Sequence, residues 1–321
     1  MAEDISKKVT ENEPESPKGF ITTTIFPESP QTQNTFSTTR QGTATNQFTK
    51  VKTNKINTQI DPITGTANLT SGDFIVTMPN FNTLTELKTS THKLLDAITV
   101  AFTESGAKSP IVTLSLEEYM NKCELKDRKE ARKQAKADLE TLFNARISFK
   151  EKRKNSQDLD YIDIRLCEAV GIRNGIINFN ISNTFYNILL GYPIMPYPPQ
   201  LWKLSARYNP NSYYLLRKIS EHKNMNIGKK NEDVISVKTL LEATPVLPGY
   251  NEVMESDRRI SSRIIEPFER DMNALENTLI WQYCHRNNVP LTDEELAVFD
   301  YTVFESLLVK VTWKVYPERV N

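Results

Sequence analysis

Residues 110–150 read PIVTLSLEEYMNKCELKDRKEARKQAKADLETLFNARISFK. Pro110-Ile-Val-Thr-Leu114 is a short apolar run with the composition of a strand. Ser115-Leu-Glu-Glu118 then has capping-box spacing, which predicts a helix from Leu116 to Leu125. The charged run from Lys126 opens a further helix reaching Asn144. At about 100° per residue, Ala131, Ala135, Leu139, Leu142 and Phe143 share one side of it. Lys129, Arg132, Lys133 and Lys136 fill an adjacent sector, so the helix can be anchored and still show cations to solvent. Arg146 to Lys150 alternates as a strand.

Upstream lie a strand, Phe74 to Met78, and a helix whose start, Thr83-Leu-Thr-Glu86, again has capping-box spacing, with Leu84, Leu87, Leu94, Leu95, Ile98 and Phe102 as its apolar stripe. Downstream come a polar loop, 151–160, and strands at Tyr161 to Ala169 and Gly175 to Ile181 joined by a turn at Gly171 to Asn174. Helix, strand, helix, turn, helix and β-hairpin is the order of a winged helix. In such a fold Lys150, Lys152, Arg153 and Lys154 fall where a wing tip meets the phosphate backbone.

The order recurs after the joint marked by Pro193, Pro196, Pro198 and Pro199. Helices are expected at Leu201 to Tyr208, Asn211 to Lys223, Ser236 to Ala243 and Asp257 to Leu275, and strands at Thr278 to His285 and Thr302 to Tyr316. In the last helix Ile260, Ile264, Phe268, Met272 and Leu275 make the stripe, and Arg259, Arg263 and Arg270 lie nearly opposite. An arginine fork can pair bidentately with guanine O6 and N7 in the major groove. In the last strand Val309, Val311, Trp313 and Val315 form the apolar face. The fold class expected is α+β: a disordered polar tail, 1–58, then a first winged-helix domain, 59–197, and a second, 198–321. The first 60 residues hold 13 Thr, 5 Asn and 5 Gln but no Leu, too little apolar surface to offset ordering entropy.

Net charge is zero, with 40 bases and 40 acids, but it is distributed unevenly. Lys126 to Lys154 carries 11 bases and 5 acids, Lys203 to Lys230 carries 7 and 1, and Pro290 to Ser306 carries 5 acids and no base. Local sign is what a polyanion meets.

With these elements in place the chain resembles the plasmid replication-initiator (Rep) family, proteins with tandem winged helices that bind origin repeats (iterons). The residues carrying the resemblance are Ser115-Leu-Glu-Glu-Tyr119, Asp138 to Phe149, Ser205 to Ile219, Ser236 to Leu241 and Arg263 to Asn273. By matching position, Arg258, Arg259, Ser262, Arg263 and Arg270 inherit a base-reading or backbone role. The resemblance also implies double-stranded DNA as partner, opening of an adjacent AT-rich stretch, recruitment of host helicase or initiator proteins, and a homodimer that represses where the monomer initiates. Two features depart from the family: the long polar N-terminus, and the connection Asn287 to Tyr301, acidic where the family often has a tight basic wing. Because an acidic segment facing DNA would repel it, this connection is expected to turn away.

No enzyme is expected. A nicking enzyme needs paired histidines and a nucleophilic tyrosine, yet His92, His222 and His285 are scattered, and Tyr213-Tyr214 reads as core. Asp158, Asp160 and Asp163 could align for a metal but fit a polar loop better. No GxxxxGK loop, cofactor motif or CxxC pair exists, and Cys123, Cys167, Cys284, Trp202, Trp281 and Trp313 read as core. Three isolated cysteines, a hydrophilic start and no long apolar run predict a cytoplasmic protein without a membrane span. The competing reading is a winged-helix regulator or replication-organising adaptor, which needs the same groove-reading helix.

Overall fold

Ser115 Oγ accepts the Glu118 amide at 2.9 Å and Asp127 accepts the Glu130 amide at 2.8 Å. The two helices of the opening stretch therefore start at their capping residues. The computed structural model describes residues 36–53, 58–82, 86–123, 125–152, 159–256, 258–296 and 300–317. In chain order it runs β1 (Ser37–Arg40), α1 (Thr43–Phe48), β2 (Thr58–Ile60), β3 (Ala67–Ser71), β4 (Phe74–Met78), α2 (Thr89–Glu104), β5 (Ile111–Ser115), α3 (Leu116–Lys122) and α4 (Arg128–Asn144). β6 (Arg146–Lys152), β7 (Leu159–Arg165), β8 (Cys167–Arg173), β9 (Ile176–Ile181), α5 (Asn183–Gly191), β10 (Ile194–Tyr197) and α6 (Gln200–Lys203) follow. The remainder is α7 (Ser212–Asn226), β11 (Val234–Ser236), α8 (Val237–Glu242), α9 (Tyr250–Ser256), a π turn (Ser261–Ile265), α10 (Glu266–Asn273), β12 (Leu279–Cys284), α11 (Asp293–Leu296), α12 (Tyr301–Ser306) and β13 (Leu308–Trp313).

Two three-stranded antiparallel sheets share one topology. In the first, β5-β9-β8 accompanies α2, α3 and α4; in the second, β11-β13-β12 accompanies α7, α8 and the π turn with α10. In each, the strand after the first helix pairs with the last strand of the hairpin, the arrangement of a winged helix. The first hairpin closes at Asn174-Gly175, with φ of 51° and 77°, a left-handed pair that asparagine and glycine tolerate.

Several expectations shift. The stretch Tyr161 to Ala169 is not one strand: β7 ends at Arg165 and β8 starts at Cys167, in different sheets. Leu166 is buried at the switch, where its carbonyl accepts the Ser182 amide and the Arg165 carbonyl accepts Ser182 Oγ at 2.6 Å. The β6–β7 hairpin instead completes a five-stranded sheet, β2-β3-β4-β6-β7, whose inner face buries Leu69, Phe74, Val76, Ile147, Phe149 and Ile164. Residues 302–306 belong to α12 rather than to the last strand, and Val315 is exposed. Phe304 caps this difference by burying itself completely, in edge contact with Phe268 at 5.5 Å. Helix α9 occupies a stretch where no helix was expected, and α6 is a single turn where a longer helix was expected. The capping box at Thr83 lies largely outside the described residues; α2 starts at Thr89.

Residues 36–53, expected to belong to a disordered tail over 1–58, are instead an ordered strap. β1 pairs antiparallel with β10, and Phe48, Ala44 and Val51 are buried. Arg40 Nη1 donates to the Leu190 and Tyr192 carbonyls, both at 2.9 Å, and Ala44 N–H donates to Tyr192 Oη at 2.8 Å. Gly42 lies flat against the Tyr192 ring, where a Cβ would collide. Beneath the strap, α2 and α7 are joined by a buried ion pair: Arg217 Nε and Nη2 reach Asp96 Oδ2 and Oδ1 at 3.1 and 3.2 Å. Tyr213 and Tyr197 hydroxyls donate to the same carboxylate at 2.6 and 3.0 Å, and α1 supplies Asn46 Oδ1 to Arg217 Nη1 at 3.0 Å. The first helices of the two winged units are thus held to each other and to the strap.

Candidate nucleic-acid interface

Each unit presents its third helix in the same manner. On α4 the buried face is Ala131, Ala135, Asp138, Leu139, Thr141 and Leu142. Phe143, expected in that stripe, is 40% exposed, because Thr141 and Asp138 take the inward positions. Asp138 Oδ1 accepts Thr91 Oγ1 at 2.7 Å and Ser90 Oγ at 3.0 Å from the first turn of α2. Its other oxygen, Oδ2, is buried without a partner. Burial pushes this carboxyl up to about 6, against the hydroxyl hydrogen bonds that favour its charged form. Lys129, Arg132, Lys133 and Lys136 are all exposed on the outward side, Lys136 within 3.6 Å of Glu140.

In the second unit Ile264, Phe268, Met272 and Leu275 are buried as the stripe predicts, with Ile260 half-buried. Asp271 stands where Asp138 stands, immediately before a core residue, and is fully buried. Its Oδ2 accepts the Asn211 amide and Nδ2 at 2.8 and 2.7 Å, and its carbonyl accepts Ser212 Oγ at 2.9 Å, at the start of α7. In both units a buried aspartate ties the third helix to the N-terminus of the first. The sequence holds the pair as Asp138-Leu-Glu-Thr-Leu142 and Asp271-Met-Asn-Ala-Leu275, but at different distances from Ser115 and Ser236, which cap α3 and α8 alike, so the equivalence emerges only from the structure.

Pro267 explains the π turn. It lacks the N–H that would bond the Arg263 carbonyl and its ring crowds that carbonyl; the widened turn at Ser261–Ile265 accommodates both. The helix consequently starts later than expected: Arg258 lies before it, in the left-handed region at φ 58°. Arg258, Arg259 and Ser262 are exposed, and Arg263 is half-exposed on the π turn. Arg270 is exposed but bonds Asp271 Oδ1 at 2.8 Å, so part of its fork is engaged within the helix.

The other expected contacts are placed differently. Lys150 is exposed on the β6–β7 hairpin, which is not the wing, and Lys152 ends β6; Arg153 and Lys154 lie outside the described residues. The actual first wing brings Arg173 and the Gly175 turn beside Arg128, whose Nη2 is 3.1 Å from where a Gly175 Cβ would stand. Arg128 and Arg173 are therefore cations that the one-strand reading missed. Three of the seven bases at 203–230 are held in ion pairs: Arg217 binds Asp96, Lys218 pairs with Glu221 at 3.1 Å, and Lys223 pairs with Glu232 and Asp233 at 2.7 and 2.8 Å. At the end of the acidic connection Tyr301 stacks on Tyr250 at 4.4 Å and α12 packs on α8 and the π turn; residues 297–299 of the connection lie outside the described residues.

Tyr213 and Tyr214 are buried, Cys167, Cys284 and Trp202 are buried, and Cys123, Trp281 and Trp313 are half-buried. Among the described residues no three His, Cys, Asp or Glu side chains gather as metal ligands, and no helix is long and apolar enough to cross a membrane.

No family model and no curated protein matches the chain. Among solved structures it is similar to domains 2 and 3 of RctB, at TM-score 0.42 and 12% identity over 89% of this chain and 94% of that one. A second structure of RctB domains 2–3 gives TM-score 0.35 and 12% identity over 66% and 76% of the two chains. The WH1 domain of MSBI1.176, a replication protein isolated from a multiple sclerosis patient, gives TM-score 0.25 and 17% identity over 32% and 77%. These are distant likenesses, and the functional reading rests on the chain's own geometry.

Proposed function

We propose that this chain is a non-enzymatic, sequence-specific binder of double-stranded DNA that initiates replication from repeated sites, acting through two winged-helix domains in tandem. One observation carries the reading: in both units a third helix is anchored by a buried aspartate while exposed cations stand on its outward side. In a winged helix that helix enters the major groove and flanking elements grip phosphate. Arg259, Ser262 and Arg263 are assigned to base edges, and Lys129, Arg132, Lys133 and Lys136 to phosphate or groove contacts. Origin opening, recruitment of host helicase or initiator proteins, a dimeric repressing form and cytoplasmic location follow from the sequence resemblance to Rep initiators.

The test is fluorescence anisotropy of the full chain on duplexes tiled across the DNA flanking its coding region, against scrambled duplexes, at two salt concentrations. Tight, periodic, salt-sensitive binding to a repeat is the expected result. Equal weak binding to every duplex would reject the reading in favour of a basic surface without sequence preference.

A further inference from the structure

The outer face of the five-stranded sheet plays no part in the winged-helix reading. Its residues follow from the register: Lys150 stands directly across from Tyr161, Arg146 from Arg165, and Ser148 from Asp163. β4 continues the rows, with Ile75 opposite Ser148 and Thr77 opposite Arg146. All share one parity, because Ile147, Phe149 and Ile164 between them are buried on the inner face. The outer face is therefore a broad surface carrying Arg146, Lys150 and Arg165, with Asp163 bonded to Arg146 at 2.7 Å. On the edge strand β7, directly across from Lys150, Tyr161 is 68% exposed.

A tyrosine is normally at least half-covered by a core. Tyr161 instead stands up from a sheet held rigid by the buried Phe74–Phe149 pair beneath it, at 5.7 Å. The neighbouring cations Arg146, Lys150 and Arg165 suit the face to a polyanion. A duplex keeps its base faces stacked away from such a ring, whereas an unpaired strand offers them. Exposed aromatics among cations spaced along a groove or sheet are the elements that bind single strands without sequence preference. Arg146 and Lys150, four positions apart on β6, span about 13 Å along the strand direction, enough for a track rather than a point contact.

We propose that this sheet face binds single-stranded nucleic acid, with one base stacked on Tyr161 and the backbone held by Lys150 and Arg165. The site is separate from the third helices, so duplex and single strand can be held at once. It adds a second ligand to the proposed function, and the two readings fail independently.

The experiment uses the full chain with fluorescein-labelled oligo(dT) of about 16 nucleotides, oligo(U) of the same length, and the repeat duplex. Tyr161→Ala should weaken oligo(dT) binding about five- to a hundredfold and leave duplex binding unchanged, while Tyr161→Phe retains the wild-type affinity. Comparison of the two oligonucleotides tells DNA from RNA as the natural strand. Lys150→Ala with Arg165→Ala should flatten the salt dependence on oligo(dT) by about 1.4 in the log–log slope, some 0.7 per cation. Unchanged oligo(dT) affinity in Tyr161→Ala would overturn the proposal, and so would an equal loss on the duplex. A change of sedimentation coefficient in that variant, with oligo(dT) affinity intact, would make the face a contact between copies and overturn it as well. Loss of specific duplex binding in the wild type, with oligo(dT) binding retained, would instead sink the initiator reading alone.

Discussion

Asp138 shows how much rests on single side chains in this fold. Its carboxyl, pushed up to about 6 by burial, holds a proton in the folded state that the unfolded chain releases near pH 4. Between about pH 4 and 6 the folded state therefore binds more protons, and this contribution to stability falls as pH rises through the window. His92 acts with opposite sign. Burial, with Arg217 and Lys52 nearby, pushes it down to about 3, so its contribution is present above about pH 6.5 and is lost as pH falls. Asp138→Asn removes only the first effect. Urea unfolding at pH 4.5, 5.5 and 7 should show the stability of this variant, relative to wild type, rising with pH; a constant difference would mean that the carboxyl titrates normally. At the same scale, Arg263→Ala should reduce discrimination between repeat and random duplex by about 1–3 kcal/mol. Equal discrimination in anisotropy titrations would remove Arg263 from the base-reading set. The stripe around these residues was legible because helical period needs no tertiary knowledge, whereas the inward turn of Asp138 depends on hydroxyls of a helix more than 30 positions away.

Among the elements, the segment entering α10 is the least regular. Arg258 sits at φ 58°, and the π turn follows within three residues. An L-residue in the left-handed region is strained by about 1–2 kcal/mol, which glycine avoids. Arg258→Gly should therefore gain up to about 1 kcal/mol after glycine's larger unfolded-state entropy is subtracted, while weakening DNA binding if the guanidinium meets phosphate. A loss of stability in urea unfolding would show that the arginine side chain outweighs its backbone strain. The helix itself was readable from Ile264, Phe268, Met272 and Leu275; the π turn that Pro267 imposes at its start was not. The hairpins were harder. A run from Tyr161 to Ala169 looks continuous because β-propensity has no term for which sheet a strand joins; β7 pairs with β6 and β8 with β9, and Ser182 bonds Arg165 and Leu166 at the switch.

At the scale of the molecule, the two winged units meet at Asp96 and Arg217, with the strap β1–α1 closing over them. Both ionic side chains are about 4% exposed, so removing one leaves the other buried and uncompensated. Asp96→Asn should lower stability by about 3–5 kcal/mol, and replacing both with apolar residues of similar volume should recover much of it. A double-mutant cycle by urea unfolding checks this; additive losses would mean that the pair is not coupled. The strap escaped sequence reading for a physical reason. Residues 36–53 are rich in Thr, Asn and Gln, and their few apolar side chains, Ala44, Phe48 and Val51, are buried against elements distant in sequence: α1 packs on β4 and β6, and Phe48 meets His92 of α2 edge-on. What the sequence determined by itself was the local layer: periodic stripes, capping residues, the doubled order of helices and strands, and the cations opposite each stripe, all set by interactions within a few residues. What only the tertiary structure decided was which strands share a sheet, which charges are consumed in buried pairs, and which tyrosine stands in solvent, because each depends on contacts between residues tens to more than a hundred positions apart.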